Sequence, residues 1–386
     1  MKLAVISHKI CWTSTDSPTG YATDGGFPFQ VGALSELFSK TAVVVPCENT
    51  DAESGTSHLE GSNLSVVPLS VPTGHGFRRK LNIPIWILKN GRVIWREVRS
   101  ADAVHTPIPG DVGTIGMLFA LLQRKPLFVR HCGNWFVQRT VAERFWKWSM
   151  EYFGGGRNAM LVTGGSPDSP SRRNKNIQWI FSTSLRREQF VDNEPRTLPE
   201  NGKIRLIIAC RQEPRKGTDV VIQCLPDVLK RFPNASLDVV GDGSQIPKLK
   251  AMVEKLGLNG CVRFHGKLEH SKVLSILKQS HVFCFPTSAS EGFPKAVLEA
   301  LASGLPVITT SVSVLPELMK SCGGLLIDGH NPFELAKAVV EICSDKNEYR
   351  EMSVKAIETA QQYSLEAWQD QIGNALRKSW GISSLS

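Results

Sequence analysis

Ser290-Glu291-Gly292-Phe293-Pro294-Lys295-Ala296-Val297-Leu298-Glu299-Ala300-Leu301-Ala302-Ser303-Gly304-Leu305-Pro306-Val307 decides the reading of this chain. Pro294 suits the first position of a helix, where its missing N–H would be unpaired anyway. Val297, Ala300, Leu301 and Gly304 recur at helical spacing and form one apolar face. Gly304 suits the left-handed residue after a helix end, and Pro306 stops any continuation. The first turn of this helix offers N–H groups and a positive dipole end, which suits a phosphate or a polyhydroxyl ligand. Glu291 falls in the loop just before it, and Glu299 between one and two turns in. The plain alternative is a surface helix with a proline start and two solvated glutamates.

Outward from this stretch, short apolar strands alternate with amphipathic helices, the pattern of parallel-sheet α/β domains. One series of strands is expected at 3–7, 42–46, 65–69, 103–106, 127–131, 160–163 and 178–180. A second is expected at 204–210, 236–240, 262–265, 282–286, 307–310 and 324–327. Helical patterns cover 30–38, 219–231, 246–256, 273–279 and 365–378. The polar stretch 191–202 holds Pro195 and Pro199 without periodicity and reads as an interdomain linker. The expected division is a domain over 1–190 and a second over 203–364. In doubly wound domains, ligands gather at the carboxyl ends of the strands. Arg211-Gln212-Glu213-Pro214-Arg215-Lys216-Gly217, Val239-Val240-Gly241-Asp242-Gly243 and Phe264-His265-Gly266-Lys267 all follow predicted strands.

The 290–307 stretch resembles the Glu-x7-Glu motif of the retaining nucleotide-sugar glycosyltransferases with GT-B fold, the large family 4 group. The resemblance is specific over the second domain and architectural over the first. It implies two doubly wound Rossmann-like domains facing across a cleft, with the last helix, within 365–386, crossing back onto the first. It implies that Glu291 contacts the donor sugar, that Glu299 contacts the nucleotide ribose, and that the backbone of Gly292, Phe293, Pro294 and Lys295 contacts sugar and diphosphate. Arg211 and Lys216 would hold the leaving diphosphate, with Arg215 a further candidate. Fixed cations there stabilise the charge that grows on that group. Gly241 and Gly243 match the family's next loop, which approaches a ligand or is simply a tight turn. Lys267 would lie near the base. Gly25 and Gly26, ahead of the 30–38 helix, resemble a Gly-Gly loop near phosphate or acceptor. His131 would orient the reacting groups, with His105 competing for that part. Ser313 and Val314 stand where the family usually has Gly-Gly, while Glu317 is kept. No metal or other cofactor is expected, because cations replace it.

The formal net charge is +9. Part of it is concentrated in Arg78, Arg79, Lys80, Lys89, Arg92, Arg96 and Arg99, interleaved with Trp86, Trp95 and aliphatic residues. Such a segment fits an anionic membrane surface. It also fits a helix with one core face and one solvated basic face. No zinc-finger, RRM or homeodomain pattern points to nucleic acid. The nine cysteines are scattered without a CxxC pair, which argues for a reducing cytosol. No apolar run approaches the roughly 18–20 residues that span a bilayer. The N-terminus reads as a first buried strand, not a signal peptide.

The expected function is transfer of a hexose-type sugar from a UDP- or GDP-sugar to an acceptor hydroxyl. The acceptor would be a glycan or a lipid-linked molecule, in glycan, polysaccharide or glycolipid synthesis, in the cytoplasm or at the inner face of a membrane. Two rivals stay open: a nucleotide-sugar epimerase of the same fold, and a non-catalytic partner of a glycosyltransferase.

Overall fold

The structure, a computed structural model, describes residues 1–52, 56–74, 76–166, 168–191, 194–289, 292–329 and 331–385. Two compact units divide it: Met1–Ser184 with Leu365–Ser386, and Leu185–Ser364.

The first unit opens with β1 (Lys2–Ile6), β2 (Cys11–Thr13), β3 (Tyr21–Asp24), α1 (Phe27–Glu36), β4 (Lys40–Asp51), β5 (Thr56–His58) and β6 (Leu64–Leu69). It continues with α2 (Gly76–Ser100), β7 (Ala103–Ile108), α3 (Asp111–Leu122), β8 (Leu127–His131), α4 (Val141–Phe153), β9 (Asn158–Thr163) and β10 (Gln178–Ile180). The sheet order is β10-β9-β8-β7-β1-β4-β2-β3-β5, with β6 also on β4. Leu3 to Ile6 are fully buried, as expected of a central parallel strand covered on both faces.

The expected strand at 42–46 is longer than its apolar core. Its first half pairs with β6, and Cys47 onward pairs with β2. The strands β2, β3 and β5 were not expected. Each has only three or four residues, with too little alternation to be seen locally.

Helix α2 carries the basic segment. Trp86, Ile94 and Val98 face the core, and the Trp86 indole N–H donates to the Ser70 carbonyl at 2.6 Å. Trp86 is therefore no candidate for a membrane surface. The outer side of the same helix keeps Leu81, Ile85, Leu88 and Trp95 exposed, Leu88 at 82%. Trp95 also meets the Phe119 ring edge-on.

The second unit comprises α5 (Glu188–Val191), β11 (Arg205–Ala209), α6 (Thr218–Arg231), β12 (Ser236–Val240), α7 (Ile246–Lys255), β13 (Val262–Gly266) and α8 (His270–Gln279). After these come β14 (Val282–Phe285), α9 (Lys295–Ala302), β15 (Val307–Thr310), α10 (Leu315–Cys322), β16 (Leu325–Ile327), α11 (Pro332–Ile342) and α12 (Lys346–Gln361). The order β13-β12-β11-β14-β15-β16 is doubly wound and reverses between β11 and β14. The stretch expected to be a linker belongs here. Leu198 enters the core of this unit, and the Arg196 N–H donates to Ser353 Oγ at 2.8 Å. Polar composition hid those anchors. The last helix, α13 (Leu365–Trp380), packs on the first unit, with Trp368 fully buried and Trp380 beside Phe38.

In the second unit Asp238 is buried between Arg205 at 2.9 Å and His265 at 2.7 Å. Asp238→Ala strands both partners, which water reaches in part. Unfolding should become easier by about 2 kcal/mol. A melting transition lowered by several degrees in calorimetry checks this.

Candidate active site

The site in the second unit is built from loops at the carboxyl ends of its strands. The loop after β11 starts at Cys210. Gln212 is buried behind it, donating from Nε2 to the carbonyls of Cys210 and Val240, both at 3.0 Å. Thr218 Oγ1 donates to Gln212 Oε1 at 2.6 Å, tying this loop to the start of α6. Nothing in the sequence marked Gln212, since a glutamine in a polar loop carries no pattern.

Gly241 and Gly243 have a defined task. A Cβ on Gly241 would lie 1.9 Å from the Cys210 oxygen, and one on Gly243 would lie 2.5 Å from the Gln212 oxygen. The close approach is therefore backbone to backbone, between the loops after β12 and β11. Gly241 N–H also donates to the Gly266 carbonyl at 2.8 Å, which joins the loop bearing Lys267. Lys267 and Arg211 are exposed, and Lys216 is half-buried.

The loop after β11 is fastened to the one after β14. Arg215 adopts φ 74, left-handed backbone that is uncommon outside glycine. Its carbonyl accepts from Ser288 N–H at 2.9 Å, Ala289 N–H at 3.2 Å and Thr287 Oγ1 at 3.1 Å. Its guanidinium Nη2 donates to the Ser288 carbonyl at 2.7 Å. Arg215 is thus a fastener of the loops. Gly217 follows at φ 86 as the N-cap of α6, where a Cβ would clash with the Pro286 carbonyl.

Glu291 lies outside the described residues. Gly292 is half-buried, and Phe293 is buried with its ring 5.4 Å from that of Tyr363. Pro294 is the N-cap of α9, one residue earlier than expected, and proline offers no capping side chain. Lys295 opens the helix. Val297, Leu298, Ala300 and Leu301 are all buried, so α9 is an interior helix, not a one-faced surface helix. Gly304 follows at φ 70, as the sequence predicts. Glu299 is only 9% exposed, and its Oε1 lies 3.1 Å from His270 Nε2. Ser313 adopts φ 56, so the loop after β15 is left-handed at that position without a glycine.

In the first unit Gly25 has φ 73, and Gly26 is the N-cap of α1. No atom of the described residues beyond its chain neighbours lies within 4 Å of a Cβ built on Gly25, so its backbone angle alone calls for glycine. His131 ends β8, buried edge-on against Trp135, with Nδ1 lacking a hydrogen-bond partner among the described residues. Burial first, and Lys147 to a lesser degree, push its pKa down to about 4, with the Gly133 backbone and Glu143 opposing. His105 stacks on Phe128, and its Nδ1 lies 3.0 Å from the Phe128 carbonyl. A carbonyl only accepts, so Nδ1 is the protonated nitrogen. Burial and then Arg130 hold its pKa near about 3. His105 is committed inside the sheet. Arg130, unmarked in the sequence, is buried with its guanidinium 5.3 Å from the Trp368 ring.

Among the described residues, no group of three or more His, Cys, Asp or Glu stands together as a metal site. No described helix is long and apolar enough to cross a membrane.

The neutral imidazole of His131 has a stability signature. The unfolded chain binds its proton near 6.5 and the folded chain near about 4. Folding is therefore favoured above pH 6.5 and weakens as pH falls toward 4. His131→Gln should flatten that part of the stability-against-pH curve, read from denaturant midpoints of mutant and wild type.

Comparison with known proteins follows the same geography. Residues 190–361 match the family described as Glycosyl transferases group 1. The chain is 32% identical to a phosphatidylinositol N-acetylglucosaminyltransferase component of Arabidopsis thaliana, over 38% of this chain and 32% of that one. It is 31% identical to a GDP-mannose-dependent monoacylated alpha-(1-6)-phosphatidylinositol monomannoside mannosyltransferase of Corynebacterium glutamicum, over 36% of this chain and 38% of that one. The chain thus spans about a third of the length of these relatives. The Anabaena HepE protein, solved in complex with UDP-glucose, superposes with a TM-score of 0.70 at 16% identity, covering 98% of this chain and 100% of that one. The fold is GT-B.

Proposed function

We propose that the chain, whose residues 190–361 match the family described as Glycosyl transferases group 1, is a retaining glycosyltransferase. It moves a hexose-type sugar from a UDP- or GDP-sugar to an acceptor hydroxyl. The observation that carries this reading is the Arg215 fastening, which sets Lys216 beside the loop leading to α9. A cation held there meets the diphosphate as its bond to the sugar breaks and negative charge grows on it. Arg211 adds a second positive charge. Glu291 takes the donor sugar hydroxyls, Glu299 the ribose, and the Gly292–Lys295 backbone the diphosphate. Lys267 lies toward the base. Gly241 and Gly243 shape the loop that carries Arg211. On the acceptor side, Gly25 and Gly26 offer backbone amides, and neutral His131 orients the reacting hydroxyl.

Support for the donor comes from the mannosyltransferase named for GDP-mannose and the Anabaena protein bound to UDP-glucose. Support for a lipid-linked acceptor comes from relatives named for phosphatidylinositol. The outer side of α2 fits that acceptor. Leu81, Ile85, Leu88 and Trp95 alternate there with Arg78, Lys89, Arg92 and Arg96. On this reading the enzyme works as a peripheral protein at the cytoplasmic face of an anionic membrane. No metal takes part, since Arg211 and Lys216 supply the charge.

Incubation with a panel of sugar nucleotides should release nucleoside diphosphate from one of them, and excess EDTA should not stop it. Lys216→Ala should cut that turnover roughly 100-fold. Turnover near that of the wild type would remove Lys216 from the mechanism.

The membrane contact has its own test. Each exposed cation near an anionic surface contributes about 1 kcal/mol. Reversing Lys89 and Arg92 to Glu should abolish co-sedimentation with phosphatidylserine vesicles and leave donor hydrolysis intact. Arg79 is spared because it pairs with Asp111 at 2.8 Å. A wild type that ignores such vesicles at low salt would point to a soluble acceptor.

A further inference from the structure

Glu299 and His270 sit on different helices, 29 residues apart in sequence. Glu299 is the fifth residue of α9, and His270 is the first residue of α8. The Glu299 side chain is nearly buried, the His270 side chain about a quarter exposed, and Nε2 lies 3.1 Å from Oε1. An ionised carboxylate only accepts, so the imidazole donates through Nε2–H. That bond requires a proton on Nε2. It also restrains a side chain with three rotatable torsions that would otherwise sample several rotamers. The Glu299 backbone is held as well, since both the N–H and the Oγ of Ser303 donate to its carbonyl.

We propose that His270 is a positioning residue that aims the Glu299 carboxylate at the vicinal hydroxyls of the nucleotide ribose. This rests on the ribose role proposed for Glu299. Two neighbouring hydroxyls are both satisfied only when the plane of the carboxylate faces them. The bond from His270 uses one lone pair of Oε1. It leaves Oε2 and the other lone pair of Oε1 for the ribose hydroxyls and limits the rotation of the carboxylate. His270 itself touches neither the sugar nor the diphosphate. Its effect therefore falls on recognition of the ribose and not on the chemical step.

The test is calorimetry on the full chain with UDP, GDP and their 2′-deoxy forms. The wild type should prefer the ribose form of its nucleotide at least tenfold, about 1.4 kcal/mol. His270→Ala should reduce that preference to about twofold, with affinity for the 2′-deoxy form unchanged within twofold. His270→Gln, whose amide can still donate, should recover part of it. With the sugar nucleotide, KM should rise about tenfold in His270→Ala while kcat stays within threefold. Equal weakening of ribose and deoxyribose forms would overturn the positioning role, as would an intact preference in His270→Ala. If Glu299→Gln then abolishes the preference, the ribose role of Glu299 stands and only the inference about His270 falls. If neither variant alters the preference, or the wild type has none, the ribose role of Glu299 falls first and the inference with it. Should His270→Ala fail to fold, His270→Leu, which cannot donate, carries the test: a preference lowered toward twofold with the 2′-deoxy affinity kept supports the donor role, and an intact preference or a uniform loss overturns it.

Discussion

The carbonyl oxygen of Arg215 holds the candidate site together. Three donors from Thr287, Ser288 and Ala289 converge on it. They require the left-handed backbone at Arg215, which costs an ordinary residue about 1–2 kcal/mol. Hydrogen bonds of about 1 kcal/mol each are enough to offset that strain. The result is that the loop after β11 and the loop after β14 cannot move separately. Gly217 then lets the chain pass against Pro286 and enter α6. The reversal of strand order between β11 and β14 supplies the space, and these contacts decide what occupies it.

Charge in the second unit is sorted by depth. Asp238 and Glu299 are buried, and each has a histidine within hydrogen-bond distance. Arg211 and Lys267 stay in water. An exposed cation contributes little until a ligand excludes solvent around it, and then its attraction for an anion grows severalfold. On the proposed reading, the buried Glu299 is set in place in advance, whereas the exposed cations act when the diphosphate arrives. In the first unit, burial lowers the pKa of His131 to about 4, so it presents a neutral ring at neutral pH.

What was legible in the sequence is what depends on neighbours in the chain. The turn at Gly304, the apolar central strands and the order of strands and helices all come from local pattern. Pro294 was misplaced by one residue, within the ordinary uncertainty of a helix end. The interior position of α9 was not legible, because its second face is covered by α12, far along the chain. The short strands β2, β3 and β5 owe their existence to pairing with β4 and with each other. Gly241 and Gly243 were visible as flexible positions, but the Cys210 and Gln212 backbone they admit was not. Gln212, Arg130 and the partner of Glu299 left no signal, since each depends on a contact made only after folding. Glu291, which weighed most in the sequence, lies outside the described residues.

Helix α2 poses a different constraint. A helix beside a sheet needs one apolar stripe, and Trp86, Ile94 and Val98 supply it. The outer residues Leu81, Ile85, Leu88 and Trp95 form a second stripe that the core does not use. Fully covering a leucine or isoleucine is worth about 1.5–3 kcal/mol, so keeping several in water forgoes much stability. Basic residues beside them raise solubility without removing that loss. On the proposed reading, both features are reconciled by a membrane surface, which is apolar inside and anionic outside. On that reading, stability set aside in the folded chain becomes available for attachment.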